Sequence, residues 1–114
     1  MPILIVDATG VLVFYNEPAE VILAQRFDET GEMPADKWIE SFAVTDEERK
    51  PIESEQWPLM FAITKRQPIS RIIWLRGLDG IWRHVNFTAV PFIGQGGQFL
   101  GVQSTFWEIQ NEAA

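Results

Sequence analysis

The stretch Ile69–Gln110 opens ISRIIWLR (69–76), turns at GLDG (77–80), continues IWRHVNFTAVPFI (81–93), turns again at GQGG (94–97) and finishes QFLGVQSTFWEI (98–109). Its runs are dense in Ile, Val, Phe, Trp and Thr, residues that suit a pleated, half-buried surface. The Asp79-Gly80 pair is a hairpin signal, because both residues tolerate positive φ. The spacing therefore predicts three consecutive antiparallel strands, over 69–76, 81–93 and 98–109. Three joined strands with one apolar face can organise a domain, provided other elements cover that face.

The covering elements lie upstream. Trp57–Arg66 reads as a helix, with Pro58 in its first turn, Lys65 and Arg66 in its last, and Pro68 beyond. Ala43–Gln56 is polar. Within it Thr45-Asp46-Glu47-Glu48 resembles a capping box, and Thr45–Lys50 reads as a turn or a single helical turn. A short helix is expected over 35–42, with Trp38, Ile39 and Phe42 on its apolar side. Asn16 is a good helix cap, followed by Glu17 and Pro18, so a further helix is expected over 17–27. Asp28–Ala35 reads as a loop. The chain opens with a hairpin, strands 3–6 and 11–15 joined by Asp7-Ala8-Thr9-Gly10. Strands grouped at both ends with helices between them indicate one α+β domain over residues 1–114.

Composition limits the function. The 114 residues are 46% hydrophobic, which argues against disorder. No run reaches the roughly 18 apolar residues of a membrane span, and the start lacks the pattern of a signal peptide. Cysteine is absent, which removes thiolate metal sites, Cys nucleophiles and thiol-linked chromophores, and fits a cytoplasmic protein. The net charge of −7 disfavours nucleic acid as a partner. That charge is uneven. Residues 1–57 hold 13 acids and 4 bases, and residues 58–114 hold 3 acids and 5 bases. The acidic half reads as a solvated helical layer or as a docking face.

Several features, taken in order, resemble the PAS domain, a sensory module of signalling proteins. They are Val6-Asp7-x-x-Gly10 leading into Val13-Phe14-Tyr15-Asn16, Pro18-Ala19, Trp57-Pro58-Leu59, and Asp79-Gly80. Arg83-x-Val85, Pro91, Gly97, Gly101-Val102 and Trp107-Glu108-Ile109 complete the set. The resemblance spans nearly the whole chain. It implies a five-stranded antiparallel sheet in the order 2-1-5-4-3, with the helices packed on one face around a small cavity. It also implies an exit from the last strand toward an effector. Here the exit triplet reads Glu108-Ile109-Gln110, keeping an acid and lacking the family's Thr. No kinase, cyclase or DNA-binding segment follows before Ala114, so an excised domain or a stand-alone sensor is expected.

The resemblance also sorts the strand residues by face. It puts Arg71, Ile73, Leu75, Val85, Phe87, Ala89, Phe99, Gly101, Gln103 and Thr105 on the cavity side. The candidate ligand pocket is Met60, Ile73, Leu75, Val85, Phe87, Ala89, Gln103 and Thr105, and the same pattern describes a filled core equally well. On the outer side it puts Trp74, Arg76, Trp82, His84, Asn86, Thr88, Ser104 and Phe106. Trp74, Trp82, His84 and Phe106 are candidate dimer contacts, with ordinary cross-strand pairing as the alternative. Trp107, Glu108 and Ile109 form the candidate signal exit.

No cofactor is certain. Gln103 matches a flavin-facing Gln, but Leu75 and Val85 stand where flavin-binding relatives carry Asn, so flavin is disfavoured. Haem is disfavoured because Trp57–Gln67 has no His, and Met60 alone is a weak ligand. A coumaroyl chromophore would need Cys. A lone His84 makes no triad, and no acid falls at a cavity position, so no enzyme activity is expected. The expectation is a sensory domain that binds a small, mostly apolar ligand, or dimerises, or both, to regulate an effector. A ligand-free dimerisation module is the alternative, with a small cone-fold enzyme behind it.

Overall fold

In a computed structural model, which describes residues 1–109, the three long strands form as the side-chain pattern requires. Strand β1 is Ile3–Asp7 and β2 is Leu12–Tyr15. They lead into helices α1 (Glu17–Leu23), α2 (Phe27–Thr30) and α3 (Ala35–Ser41). Strand β3 (Ala43–Thr45), helix α4 (Pro58–Lys65), β4 (Ile69–Arg76), β5 (Trp82–Ile93) and β6 (Phe99–Glu108) follow. One antiparallel sheet results, in the order β2-β1-β6-β5-β4-β3. The helices supply the layer over one face, and the core fills the space between (Leu4, Val6, Leu12, Ile73, Val85 and Val102 from the sheet; Ala19, Leu23, Leu59 and Ala62 from helices).

Six strands replace the expected five. The addition is β3, which pairs Ala43 with Arg76 and Thr45 with Trp74 at the sheet edge. Three residues are too few to display a period of two, and the neighbouring polar run reads locally as a turn. The strand exists because β4 offers it a ladder.

Helix 17–27 is broken in two. Asn16 caps α1 as expected, its Oδ1 accepting from the Ala19 N–H at 3.2 Å. The helix stops at Ala24, which takes a left-handed φ of 68°. The stop is tertiary: the Leu23 carbonyl accepts the Leu78 N–H at 2.9 Å, from the β4–β5 turn docked on the helix end. The Glu20 carboxylate then accepts the Phe27 N–H at 2.7 Å and helps to start α2, which runs on into the segment 28–35 that reads as a loop.

The last correction concerns β6. Strict alternation from Phe99 puts Gly101, Gln103 and Thr105 on the cavity side. The register instead pairs Phe87 with Phe106, Ala89 with Ser104 and Pro91 with Val102. Directly opposed residues share a face, so Val102, Ser104 and Phe106 point inward, and all three are fully buried. The cause is a bulge. Phe92 opposes Gly101 while Ile93 opposes Phe99, leaving Leu100 over, and the extra residue inverts the parity. Gly101 has φ 146°, and a Cβ there would collide with the Val6 carbonyl oxygen on β1. Only glycine fits that close approach.

Candidate functional site

Two places could carry function. The first is a cavity of about 50 Å³ between the sheet and the helical layer. Leu4, Leu12, Leu75 and Phe87 line it from the sheet, while Leu23, Trp38, Phe42, Trp57 and Leu59 close it from above. Its two indoles are held by their polar ends. Trp38 Nε1 donates to the Gly10 carbonyl at 2.9 Å, and Trp57 Nε1 donates to the Ile52 carbonyl at 2.8 Å. Their rings sit 6.4 Å apart and present carbon to the cavity. Tyr15 is buried in the same core but does not line the cavity; its hydroxyl donates to the Gln25 carbonyl at 2.9 Å, and burial raises its pKa.

Of the pocket residues expected from sequence, Leu75 and Phe87 line this cavity. Ile73, Val85 and Ala89 are buried in the core around it, and Met60 packs against that core. Gln103 and Thr105 do not belong: the bulge puts them on the outer face. Eight lining residues from outside the three long strands escaped the sequence reading. Trp38 and Phe42 were visible as an apolar helix side, but their distance from the sheet in sequence hid their destination.

Phe106, expected at an outer interface, lies in the core, its ring stacked on Phe87 at 5.4 Å. Ser104, assigned to the outer face, is also inside. Its hydroxyl is fully buried and has no hydrogen-bond partner among the described residues. It stands opposite Leu4, one of the cavity residues.

The second place is the outer face. Trp74 and His84 are cross-strand partners and stack at 4.5 Å with 16° between ring planes. The Arg49 guanidinium covers the other side of the indole at 3.5 Å from its centroid. Trp74 Nε1 donates to the Glu47 carbonyl at 3.3 Å. The Nε2 of His84 is covered, without a partner among the described residues. Trp82 is half-buried, opposite Arg76. Trp74 is thus occupied by His84 on one side and by the molecule's own segment 46–50 on the other.

At the exit, Trp107 is 50% exposed. Ile109 extends the pairing one step beyond β6 by donating its N–H to the His84 carbonyl at 2.7 Å. Gln110, the last member of the exit triplet, lies outside the described residues.

Two carboxylates hold turns. Asp7 Oδ1 accepts from the Thr9 hydroxyl at 2.7 Å and from the Thr9 and Val11 N–H groups, and its pKa is lowered, chiefly by the Thr9 hydroxyl. Asp79 pairs with Arg83 at 3.0 Å across the β4–β5 turn, which lowers the acid's pKa and raises the base's. Both pairs are explained by turn formation. Among the described residues no cluster of His, Asp and Glu could hold a metal ion.

No family model and no curated protein sequence matches the chain. Solved structures do. The chain is similar to the PAS domain from Bordetella pertussis BvgS, with a TM-score of 0.67 and 18% identity, covering 98% of this chain and 79% of that one. It is also similar to the PAS domain of nitrogen regulation protein NR(II) from Vibrio parahaemolyticus (TM-score 0.64, 17% identity, 95% of this chain and 88% of that one). Drosophila melanogaster Cycle PAS-B with bound ethylene glycol matches as well (TM-score 0.64, 11% identity, 96% of this chain and 100% of that one). The chain is thus a PAS-fold domain.

Proposed function

We propose that this domain is a non-catalytic signalling module that works by packing and partner contact, with a core too full to house a cofactor. The observation that carries this reading is the cavity of about 50 Å³. Small-molecule pockets occupy about 300–1,000 Å³, and one water needs about 10–15 Å³. The space holds a few atoms, far fewer than a flavin or a haem. No ionisable group lines it among the described residues, which speaks against proton-transfer chemistry there. In this reading the domain dimerises, in the cytoplasm, and passes its state to an effector through Trp107–Ile109. The partner biases one of two packings of helices on sheet.

One observation favours a second reading. The Ser104 hydroxyl is an unused donor and acceptor inside an otherwise apolar core. A small, mostly apolar ligand with one polar atom would satisfy it, if Trp38, Phe42 and Trp57 moved outward to enlarge the cavity.

Native mass spectrometry of the purified chain, with an absorbance scan on the same sample, separates the two. The packed-core reading expects an empty protein that is dimeric at micromolar concentration. A co-purifying small molecule overturns that reading in favour of the ligand sensor. An empty monomer overturns the dimerisation part of the reading.

A further inference from the structure

The sheet ends unevenly at its β4 side. Strand β3 pairs only with Trp74, Leu75 and Arg76. Ile69–Ile73 therefore have β5 on one side and, among the described residues, no strand on the other. After Thr45 the chain leaves this edge through segment 46–50 and returns at Pro51, which bridges Thr45. The excursion is fixed. The Asp46 carboxylate accepts the Glu48 and Lys50 N–H groups at 2.9 Å each, and Arg49 and the Glu47 carbonyl hold Trp74 as described above. Between this tip and the strand edge runs an open groove of about 550 Å³, walled by Asp46, Glu47 and Glu48 on one side and Ser70, Arg71 and Ile72 on the other.

We infer that this groove docks an extended, basic peptide segment of a partner protein, added as a strand to Ile69–Ile73 in line with β3. The exposed edge supplies the ladder, since alternate residues of an edge strand leave N–H and C=O groups unpaired. Charge sets the partner's chemistry. The walls bring three carboxylates against one guanidinium; Glu48 is held by Lys50 at 3.6 Å, so the excess negative charge rests on Asp46 and on Glu47, which has no basic nitrogen within ion-pair distance among the described residues. Arg71 is paired with Phe87 and shares its helix-side face, so it opposes a cation on the outer side only weakly. Charge also sets direction. An antiparallel strand continuing from β3 starts opposite Ile73, beside the acidic tip, so its first residues are Lys or Arg. Its fourth residue falls opposite Ser70 on the outer face, and a β-branched side chain there lies diagonally beside Ile72, whose outer-face neighbour is Asn86. A second copy of the chain, with its net charge of −7, is repelled by the same carboxylates. The inference does not depend on whether the inner cavity takes a ligand.

The test is a ¹⁵N-resolved titration of the full chain with Lys-Lys-Val-Thr-Val-Thr, its Glu-Glu counterpart, and a version N-methylated at alternate positions. Saturable shifts at the amides of residues 69–73 are expected with the basic peptide only, and N-methylation abolishes them without any change to the protein. The exposed pair Glu47→Lys and Glu48→Lys, made together, weakens the basic peptide about tenfold or more, with the fold checked by circular dichroism. The inference is overturned by no saturation at millimolar peptide, by equal binding of both charge forms, or by shifts confined to another surface. A dimer broken by the same two substitutions overturns it in favour of a second copy.

Discussion

One sheet presents two faces that obey different rules. The inner face (Val85, Phe87, Ala89, Val102 and Phe106) is governed by volume: every side chain touches another, and about 50 Å³ is left over. The outer face (Trp74, His84, Asn86, Gln103, Thr105 and Trp107) is governed by pairing: ring on ring, guanidinium on ring, hydroxyl on hydroxyl, beside an open groove of about 550 Å³. The lesson is that the available space in this PAS fold lies outside the core. A packed interior resists new occupants, whereas an unfinished edge invites them.

Adjacent residues on β6 give the sharpest test of that contrast. Phe106→Ala should cost about 4 kcal/mol in chemical denaturation, because it opens a cavity in the core, while Trp107→Ala should stay within about 0.5 kcal/mol. Equal losses would break the assignment of faces. Gly101→Ala should cost about 3 kcal/mol, since it forces a Cβ onto the Val6 carbonyl at a φ unsuited to alanine. A loss below about 1 kcal/mol would remove the bulge from the account.

Ser104→Ala tests the inner face from the other direction. Removing a buried hydroxyl with no partner should stabilise the fold by about 1 kcal/mol. Destabilisation would show that the hydroxyl has a partner after all. On the outer face, Arg49→Ala should cost about 0.5–1 kcal/mol, the scale of an exposed cation–π contact, and should loosen segment 46–50 in hydrogen exchange.

The smallest effect is acid-dependent. The folded Asp7 carboxyl is held below the ordinary value, chiefly by the Thr9 hydroxyl. Its stabilisation is therefore complete above the unfolded value of about 3.9 and disappears as pH falls through the lower, folded one. Asp7→Asn should flatten the acid limb of the stability–pH curve and leave the slope near neutrality unchanged. An unchanged acid limb would assign the effect elsewhere.

Much of this architecture was legible in the sequence, for identifiable reasons. The long strands declare themselves through β-branched and aromatic density, and the turn at Asp79-Gly80 through its φ tolerance. The order of five strands followed from the family resemblance. What escaped was decided by partners distant in sequence. Nothing in Ala24 announces a helix end, because the Leu78 N–H that caps Leu23 is supplied from across the fold. Nothing in Ala43–Thr45 announces a strand without β4 beside it. Gln103, Thr105 and Phe106 were placed on the wrong faces by one cause: period-two counting cannot register the additional residue at Leu100. The glycine next to it was the available clue.

The hydrogen bond from Ile109 to the His84 carbonyl has a mechanical consequence. Up to Thr105, β6 is gripped on both sides, by β1 through Ile3 and by β5 through Thr88. From Trp107 to Ile109 its paired neighbour is β5, at Asn86, Val85 and His84. A torque applied beyond Ile109 thus has a one-sided lever arm. It peels against β5 first, and the first rung it loads is the backbone of the residue whose ring lies on Trp74. Load entering at the end of the last strand is steered across the sheet toward the clasped segment 46–50, and the rigid double-gripped centre bears less of it.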